Sequence, residues 1–203
     1  RFLKRFQYIL KNSDCVVVSN RALQKIASAF NSKVLILPTP VDTEKLTPKA
    51  AASNNGSVTV GWIGSPPTTR YITPLSETLG LLIKKYPFLK IELVGAASLP
   101  GADRHIAIKK WSINNEVSDL QNFDIGIMPL DEDEWSAGKG GYKLLQYMAV
   151  GIPCVASSVG INKDIVGEGL TGFLVKSQDE WAERLSMLIE NSQLRYKMGA
   201  EGR

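Results

Sequence analysis

The chain has 203 residues, 44% of them hydrophobic, with 24 Lys and Arg against 20 Asp and Glu. This is more than one typical domain and apolar enough for a packed core, so it reads as one globular domain plus an extra piece. The net charge of +4 comes without any Lys/Arg tract interleaved with aromatics, which sets nucleic acid aside, and no run approaches the roughly 20 apolar residues of a membrane span.

His105 is the only histidine, which excludes a multi-histidine metal site. Cys15 and Cys154 sit in the apolar runs DCVVVS and PCVASS, where free thiols behave as small hydrophobes, so a reducing, cytoplasmic setting is expected. No charged-then-apolar leader opens the chain. It begins at Arg1 without a methionine and ends at GAEGR after a helical pattern, and is expected to be a piece of a longer protein.

Phe2, Leu3, Phe6, Ile9 and Leu10 recur at helical spacing between Arg1, Lys4, Arg5 and Lys11, predicting a basic amphipathic helix over residues 1–12. Such a helix either lies at a solvated domain edge or touches an anionic membrane surface. A short strand over Val16–Val18 follows, then Ser19-Asn20 as a helix cap, a helix to about Phe30, and a second strand over Val34–Leu37. Pro38, Pro40 and Pro48 mark a semi-rigid crossing, and KAAASNNGS reads as a domain boundary.

Beyond Ser57 the apolar runs VTVGWIG, IELVGA, IAIKKW, DIGIMPL, CVASS and FLV alternate with helical stretches. Helices are expected over Ile72–Tyr86, Tyr142–Val150 and about Asp179–Glu190. Short continuous apolar strands separated by helices predict an α/β fold, a doubly wound parallel sheet with helices on both faces. Ligands of such sheets bind beyond the carboxyl ends of the strands.

DEDEWSAGKGGYKLLQYMAVGIP crowds glycines at the entry of a helix. Gly138, Gly140 and Gly141 offer backbone N–H groups to an anion, and Lys139 and Lys143 add charge in the same turn, which suits a diphosphate. The same pattern also fits a plain turn with solvated lysines.

In GWIGSPPTTR, Gly64-Ser65 ends a strand and Thr68 or Thr69 is expected to cap the helix ahead of Arg70. Pro66 and Pro67 remove two donors, so this loop contributes through Ser65 and Arg70 or is only a β-to-α turn. It matches neither a P-loop nor the dinucleotide fingerprint. Trp111-Ser112, at the same sheet edge, either flanks a nucleotide base or packs. Asp131, Glu132, Asp133 and Glu134 either accept sugar hydroxyls or form a solvated loop.

These stretches together resemble the carboxyl-terminal part of family 4 retaining glycosyltransferases of the GT-B fold, two Rossmann-like domains facing across a cleft. The resemblance runs nearly end to end: SDCVVVSNRALQKIA, VLILPTPVDTEKLTP, VGWIGSPPTTRYI, FDIGIMPL, KLLQYMAVGIPCVAS and GLTGFLV stand in the family's order. Thr39-Pro40 replaces the asparagine-glycine of the family's interdomain turn. An arginine and a following lysine bind the donor diphosphate in the family, and Ser65 and Arg70 fill those places. Of the family's paired glutamates, the one on the ribose corresponds to Gln146 and the one near the reacting sugar to Gly138. Glutamine still hydrogen-bonds a ribose diol, whereas glycine cannot replace a carboxylate.

The resemblance implies residues 1–47 as the remnant of an N-terminal acceptor domain with its linker, and 48–203 as the donor-binding domain. It implies transfer of a sugar from a nucleotide diphosphate sugar such as a UDP-sugar to an acceptor hydroxyl with retention, without a cofactor or obligatory metal. Arg70, Lys139 and Lys143 would stabilise the leaving diphosphate, Gln146 would position the ribose, and Trp111, Ser112 and Ile113 would flank the base. The saccharide or lipid-linked acceptor would sit on the N-terminal domain, and the setting would be cytoplasmic cell-envelope polysaccharide synthesis, with peripheral membrane contact in the intact enzyme. A degenerate, non-catalytic scaffold and a nucleotide-sugar epimerase of the same architecture remain the alternatives.

Overall fold

The computed structural model describes residues 2–49, 56–99 and 105–203. The expected boundary KAAASNNGS falls largely at 50–55, outside the described residues, as does Arg1.

The first segment is helix α1 (Phe2–Asn12), strand β1 (Val16–Val18), helix α2 (Arg21–Ser28) and strand β2 (Val34–Ile36). The two strands pair in parallel, Val16 opposite Val34. Asn20 caps α2 as expected, its Oδ1 accepting from the Leu23 N–H at 2.9 Å. Leu10 of α1 is buried, but Leu3, Phe6 and Ile9 are exposed, as are Val17, Leu35 and Leu37 around the strands. Cys15 is exposed ahead of β1 rather than within it, so only Cys154 behaves as the small core hydrophobe expected of both.

Strand β3 (Val58–Ile63) opens the main unit and is buried along its whole length. The expected helix from Ile72 begins later. Two short 3₁₀ segments, Pro66–Tyr71 and Thr73–Leu75, come first, and helix α3 covers Ser76–Lys85. Pro74 has no N–H and disfavours α geometry at the residue before it, so a regular helix starts only past it.

Strands β4 (Leu89–Val94) and β5 (Ile106–Lys109) follow, then helix α4 (Glu116–Asn122), strand β6 (Ile125–Met128), and helices α5 (Glu134–Ala137) and α6 (Tyr142–Ala149). Strand β7 (Cys154–Ser157), helix α7 (Asn162–Ile165), strand β8 (Gly172–Val175), and helices α8 (Gln178–Glu190) and α9 (Ser192–Gly202) complete the chain. Among the described residues no helix is long and apolar enough to cross a membrane.

The large sheet has six parallel strands in the order β5-β4-β3-β6-β7-β8. Alternation along β3 sends Val58, Val60 and Trp62 to one face, where α3 and α8 contribute Leu79, Leu82, Trp181 and Leu185. Ile63 faces the other side, with Leu120, Phe123, Leu144 and Tyr147 from the α4 and α6 side. Leu46 is buried in this second cluster and Lys49 pairs with Asp124 at 2.6 Å, so the stretch leading to the expected boundary packs on the main unit.

The strand order reverses between β3 and β6, and their pairing there is brief: Val60 faces Ile125 and Gly61 faces Gly126. Beyond that point the buried Tyr147 hydroxyl bridges the strands, accepting from the Ile63 N–H at 3.4 Å and donating to the Ile127 carbonyl at 3.1 Å. Its ring approaches because Gly126 has no side chain; a Cβ there would lie 2.4 Å from it. Burial raises the Tyr147 pKa well above the ordinary phenol value, so the group stays a neutral donor. Tyr147→Phe leaves both backbone groups unpaired, and a loss of about 1–3 kcal/mol in urea unfolding is expected; an unchanged midpoint would show that this bridge adds nothing.

Candidate functional site

The site stands at the carboxyl ends of β3 and β6, where the order of the strands reverses. On the β3 side, Ser65 rather than Thr68 or Thr69 precedes the first helical turn. Thr68 lies inside that turn and reaches back, its Oγ1 accepting from the Ser65 N–H at 3.1 Å and donating to the Ser65 carbonyl at 2.7 Å. Thr69 is buried and accepts from the Ala97 N–H at 2.8 Å. The Gly64 N–H goes to the Val94 carbonyl at 2.9 Å and the Thr68 N–H to Ser65 at 2.8 Å. With Pro66 and Pro67 carrying no donor, what this loop can offer an anion is side chains, chiefly Arg70.

On the β6 side, Asp133 caps α5, its Oδ1 accepting from the Ser136 N–H at 2.6 Å. These Ser136 hydrogen bonds hold its carboxyl below the usual aspartate range. Asp133 therefore has a structural task, while Asp131 and Glu132 line a neighbouring crevice of about 590 Å3 with Tyr71, Ser157 and Lys176.

The glycine-lysine turn follows. The Gly138 N–H bonds the Glu134 carbonyl at 3.2 Å and the Lys139 N–H bonds Ser136 at 3.1 Å, so Gly138 closes α5 instead of offering its N–H. Among the described residues no hydrogen bond takes the N–H of Gly140 or Gly141. Gly141 sits at φ +70° ahead of α6, a conformation that favours glycine, and its carbonyl accepts from the Leu144 N–H at 2.9 Å.

The first segment braces this turn. A Cβ on Gly140 would lie 2.5 Å from Thr39 Oγ1 and 3.3 Å from Ser19 Oγ, and Asn20 Nδ2 donates to the Lys139 carbonyl at 2.9 Å.

The two loops meet at Tyr71. The Arg70 guanidinium stacks on the Tyr71 ring at 4.8 Å and donates to its hydroxyl at 2.8 Å, while Lys139 Nζ lies 5.1 Å from the same ring. Ser136 Oγ is 3.4 Å from that hydroxyl. Burial by itself raises the phenol's pKa, but hydrogen bonds from Arg70 and Ser136 and the charges of Lys139 and Arg70 leave it below its ordinary value. The hydrogen bond to Tyr71 raises Arg70 in turn.

Lys143, on the first turn of α6, places Nζ 5.5 Å from the Trp62 ring. Burial, and then repulsion from Lys139, push its ammonium down to about 8, with no carboxylate acting against them. Two ammonium groups and a guanidinium thus stand around this turn, with Asp133 and Asp131 near enough to be felt at Arg70 but, among the described residues, in no ion pair with it, an arrangement suited to an anion.

One helical turn along α6, Gln146 is buried and its amide donates to Glu116 Oε1 at 3.2 Å. Trp111 Nε1 donates to the same oxygen at 3.3 Å, with the indole 42% exposed and Ile113 exposed beside it. Ser112 supplies a carbonyl to the Asn115 N–H at 3.2 Å. A Cβ on Gly95 would lie 2.2 Å from the Gly64 carbonyl and 3.2 Å from Trp111 Cβ, which joins the β3 and β5 loops.

The structure thus gathers Arg70, Lys139 and Lys143 at one end and Trp111 and Gln146 at the other. Sequence reasoning missed Tyr71 and Glu116. Asn115-Glu116 carries a helix-start signal that locates α4, whereas nothing in the pattern marks Tyr71. Among the described residues no group of three His, Cys, Asp or Glu is placed to hold a metal ion.

An open parallel sheet whose strand order reverses, with a glycine-lysine turn at the point of reversal, is the doubly wound α/β architecture. The chain belongs to the family described as glycosyl transferases group 1, whose model matches residues 101–203. It is 23% identical over 226 residues to a D-inositol 3-phosphate glycosyltransferase of Corynebacterium urealyticum, covering 95% of this chain and 52% of that protein. The chain therefore spans about half the length of that curated relative. Among solved structures, TarM matches with a TM-score of 0.78 at 19% identity, over 98% of this chain and 42% of its own. Anabaena Alr3699/HepE in complex with UDP-glucose matches with a TM-score of 0.77 at 15% identity, over 98% and 61%. These two likenesses place the fold among GT-B glycosyltransferases.

Proposed function

We propose that this chain is the donor-binding half of a retaining, family 4 glycosyltransferase, which transfers a sugar from a nucleotide diphosphate sugar to an acceptor hydroxyl with no cofactor beyond that donor. The observation that carries the reading is the convergence of Arg70, Lys139 and Lys143 with the unused N–H groups of Gly140 and Gly141 at the reversal of the sheet. Charge develops on the leaving diphosphate as the glycosidic bond breaks, and preorganised cations and amides stabilise it there. Gly64 and Ser65 border the diphosphate from the β3 side, and Trp111, Ser112 and Ile113 flank the base. The UDP-glucose bound by the HepE neighbour supports a nucleotide-sugar donor.

Residues 1–47 are in this reading the remnant of the acceptor domain together with its linker, whose end, around Leu46, packs on the donor-binding domain. A two-stranded parallel sheet is not self-sufficient, and the exposed Val17, Leu35 and Leu37 are the surface such a domain would cover. That domain holds a saccharide or lipid-linked acceptor in cytoplasmic synthesis of cell-envelope polysaccharide, and α1 presents Lys4 and Arg5 to an anionic membrane surface.

Titration calorimetry on the full-length protein with UDP, GDP and their sugars tests the reading. Millimolar or tighter binding of at least one is expected, and silence from all of them overturns it. Arg70→Ala and Lys139→Ala should each weaken the diphosphate roughly 10-fold while leaving the nucleoside nearly unaffected.

A second reading, a non-catalytic binding module, is favoured by one observation. Gly138 brings no carboxylate to that point of the turn, where its Cα lies close to Leu23 of α2, a Cβ there falling 3.2 Å from Leu23 Cδ2. Assay of the full-length protein for donor hydrolysis and sugar transfer separates the two, since a module of that kind shows neither.

A further inference from the structure

We propose that Glu116 is the residue that reads the ribose of the donor, and that Gln146 acts through it as a positioning residue. This rests on the donor reading above and assigns one of its contacts.

The geometry of the carboxylate carries the inference. Gln146 is 3% exposed and its amide nitrogen is already committed to Glu116 Oε1 at 3.2 Å. Trp111 Nε1 donates to that same oxygen at 3.3 Å. Two neutral donors from different elements, α6 and the loop after β5, thus hold one carboxylate oxygen in place. The other oxygen, Oε2, has Lys45 Nζ at 3.9 Å, beyond hydrogen-bond distance, and that lysine side chain is 47% exposed. A pair of this length with an exposed lysine contributes little to stability and does not explain why a buried amide and a partly exposed indole both hold the acid.

An ionised carboxylate only accepts, and one oriented through a single oxygen keeps lone pairs free on the other. A vicinal diol presents two O–H donors at the spacing such a group accepts. The site also lies where a pentose must lie. Lys143 and Gln146 are three residues apart on α6, roughly 5 Å along the helix, so they share one side of it, with the cation at its start and the Gln146-held carboxylate a turn further on. On the far side the exposed faces of Trp111 and Ile113 wait for the base. Glu116 therefore stands between the phosphate-facing cations and the base-facing aromatic.

The experiment compares UDP, GDP and ADP with their 2′-deoxy counterparts by calorimetry on the full-length protein. Wild type is expected to favour the ribonucleotide by about 10-fold or more, the worth of a charge-assisted hydrogen bond. Glu116→Ala is expected to bring the ribonucleotide down to the deoxynucleotide's affinity while leaving the latter within about 2-fold, which also reports an intact fold. Glu116→Asp, which keeps the charge, should retain part of the preference, and Gln146→Ala should reduce it without abolishing it. A ribo-to-deoxy ratio unchanged in Glu116→Ala overturns the inference and leaves the donor site standing. Absence of binding by every ribonucleotide to wild type overturns the donor reading, and this assignment with it.

Discussion

Lys143→Met is expected to make the unliganded protein more stable at pH 7 and nearly unable to hold a nucleoside diphosphate. The ammonium is held down to about 8 by burial against Trp62 and by Lys139, from an ordinary value of 10.5. The folded chain therefore binds that proton less tightly than the unfolded chain. Stability rises as pH climbs from about 8 to 10.5, and the penalty is at full size below 8. Removing the charge at pH 7 should add about 1–3 kcal/mol to the unfolding free energy. The same change deletes the most desolvated cation facing the anion, and truncating one side of such a pair costs about 2–4 kcal/mol, a roughly 30- to 700-fold loss of affinity. For wild type, affinity for a diphosphate should fall above pH 8 as Lys143 loses its proton. Denaturation and calorimetry on the two proteins check both halves. A variant that is destabilised, or that binds like wild type, shows that Lys143 does not face the ligand.

Gly61→Ala should be among the most damaging single-methyl additions in the molecule. A Cβ at Gly61 would lie 2.0 Å from Cγ of Phe123, which is fully buried and meets Tyr147 edge-on with ring centroids 6.4 Å apart. Neither ring can retreat without breaking the Tyr147 bridge between β3 and β6, so a loss of about 3 kcal/mol or more is expected. Phe123→Ala alone empties a core position at a cost of about 3–5 kcal/mol. The double variant should be less damaged than the sum, with a coupling of about 1–3 kcal/mol in a urea-unfolding cycle. Additive losses would mean that the glycine is there for another reason.

The sheet could be read from the sequence because each strand is short, apolar and bounded by turn residues, and because burial on both faces of β3, β6 and β7 leaves no alternation to confuse it. The glycine-lysine turn was visible because three glycines and two lysines crowd the mouth of a helix, whereas the packing of Gly140 on Thr39 and of Gly141 on Ile165 was not. What stayed hidden depends on partners distant in the chain. Glu116 takes its place from Gln146, thirty positions further on, and Tyr71 from Arg70 beside it and Lys139 on the opposite loop. Short polar helices such as α4 carry too few apolar positions to show a period, and the 3₁₀ turns before α3 follow from three prolines whose joint effect is hard to weigh without the surrounding walls.

The amide of Asn20 has a consequence for how the site is assembled. It terminates one helix and at the same time tethers the carbonyl of Lys139, and Ser19 and Thr39 press on the adjacent glycine. The curvature of the glycine-lysine turn is thus imposed from outside the sheet that carries it. Any change that shifts the first segment relative to the sheet would draw on that carbonyl, so the shape of this turn and the seating of the first segment are mechanically linked.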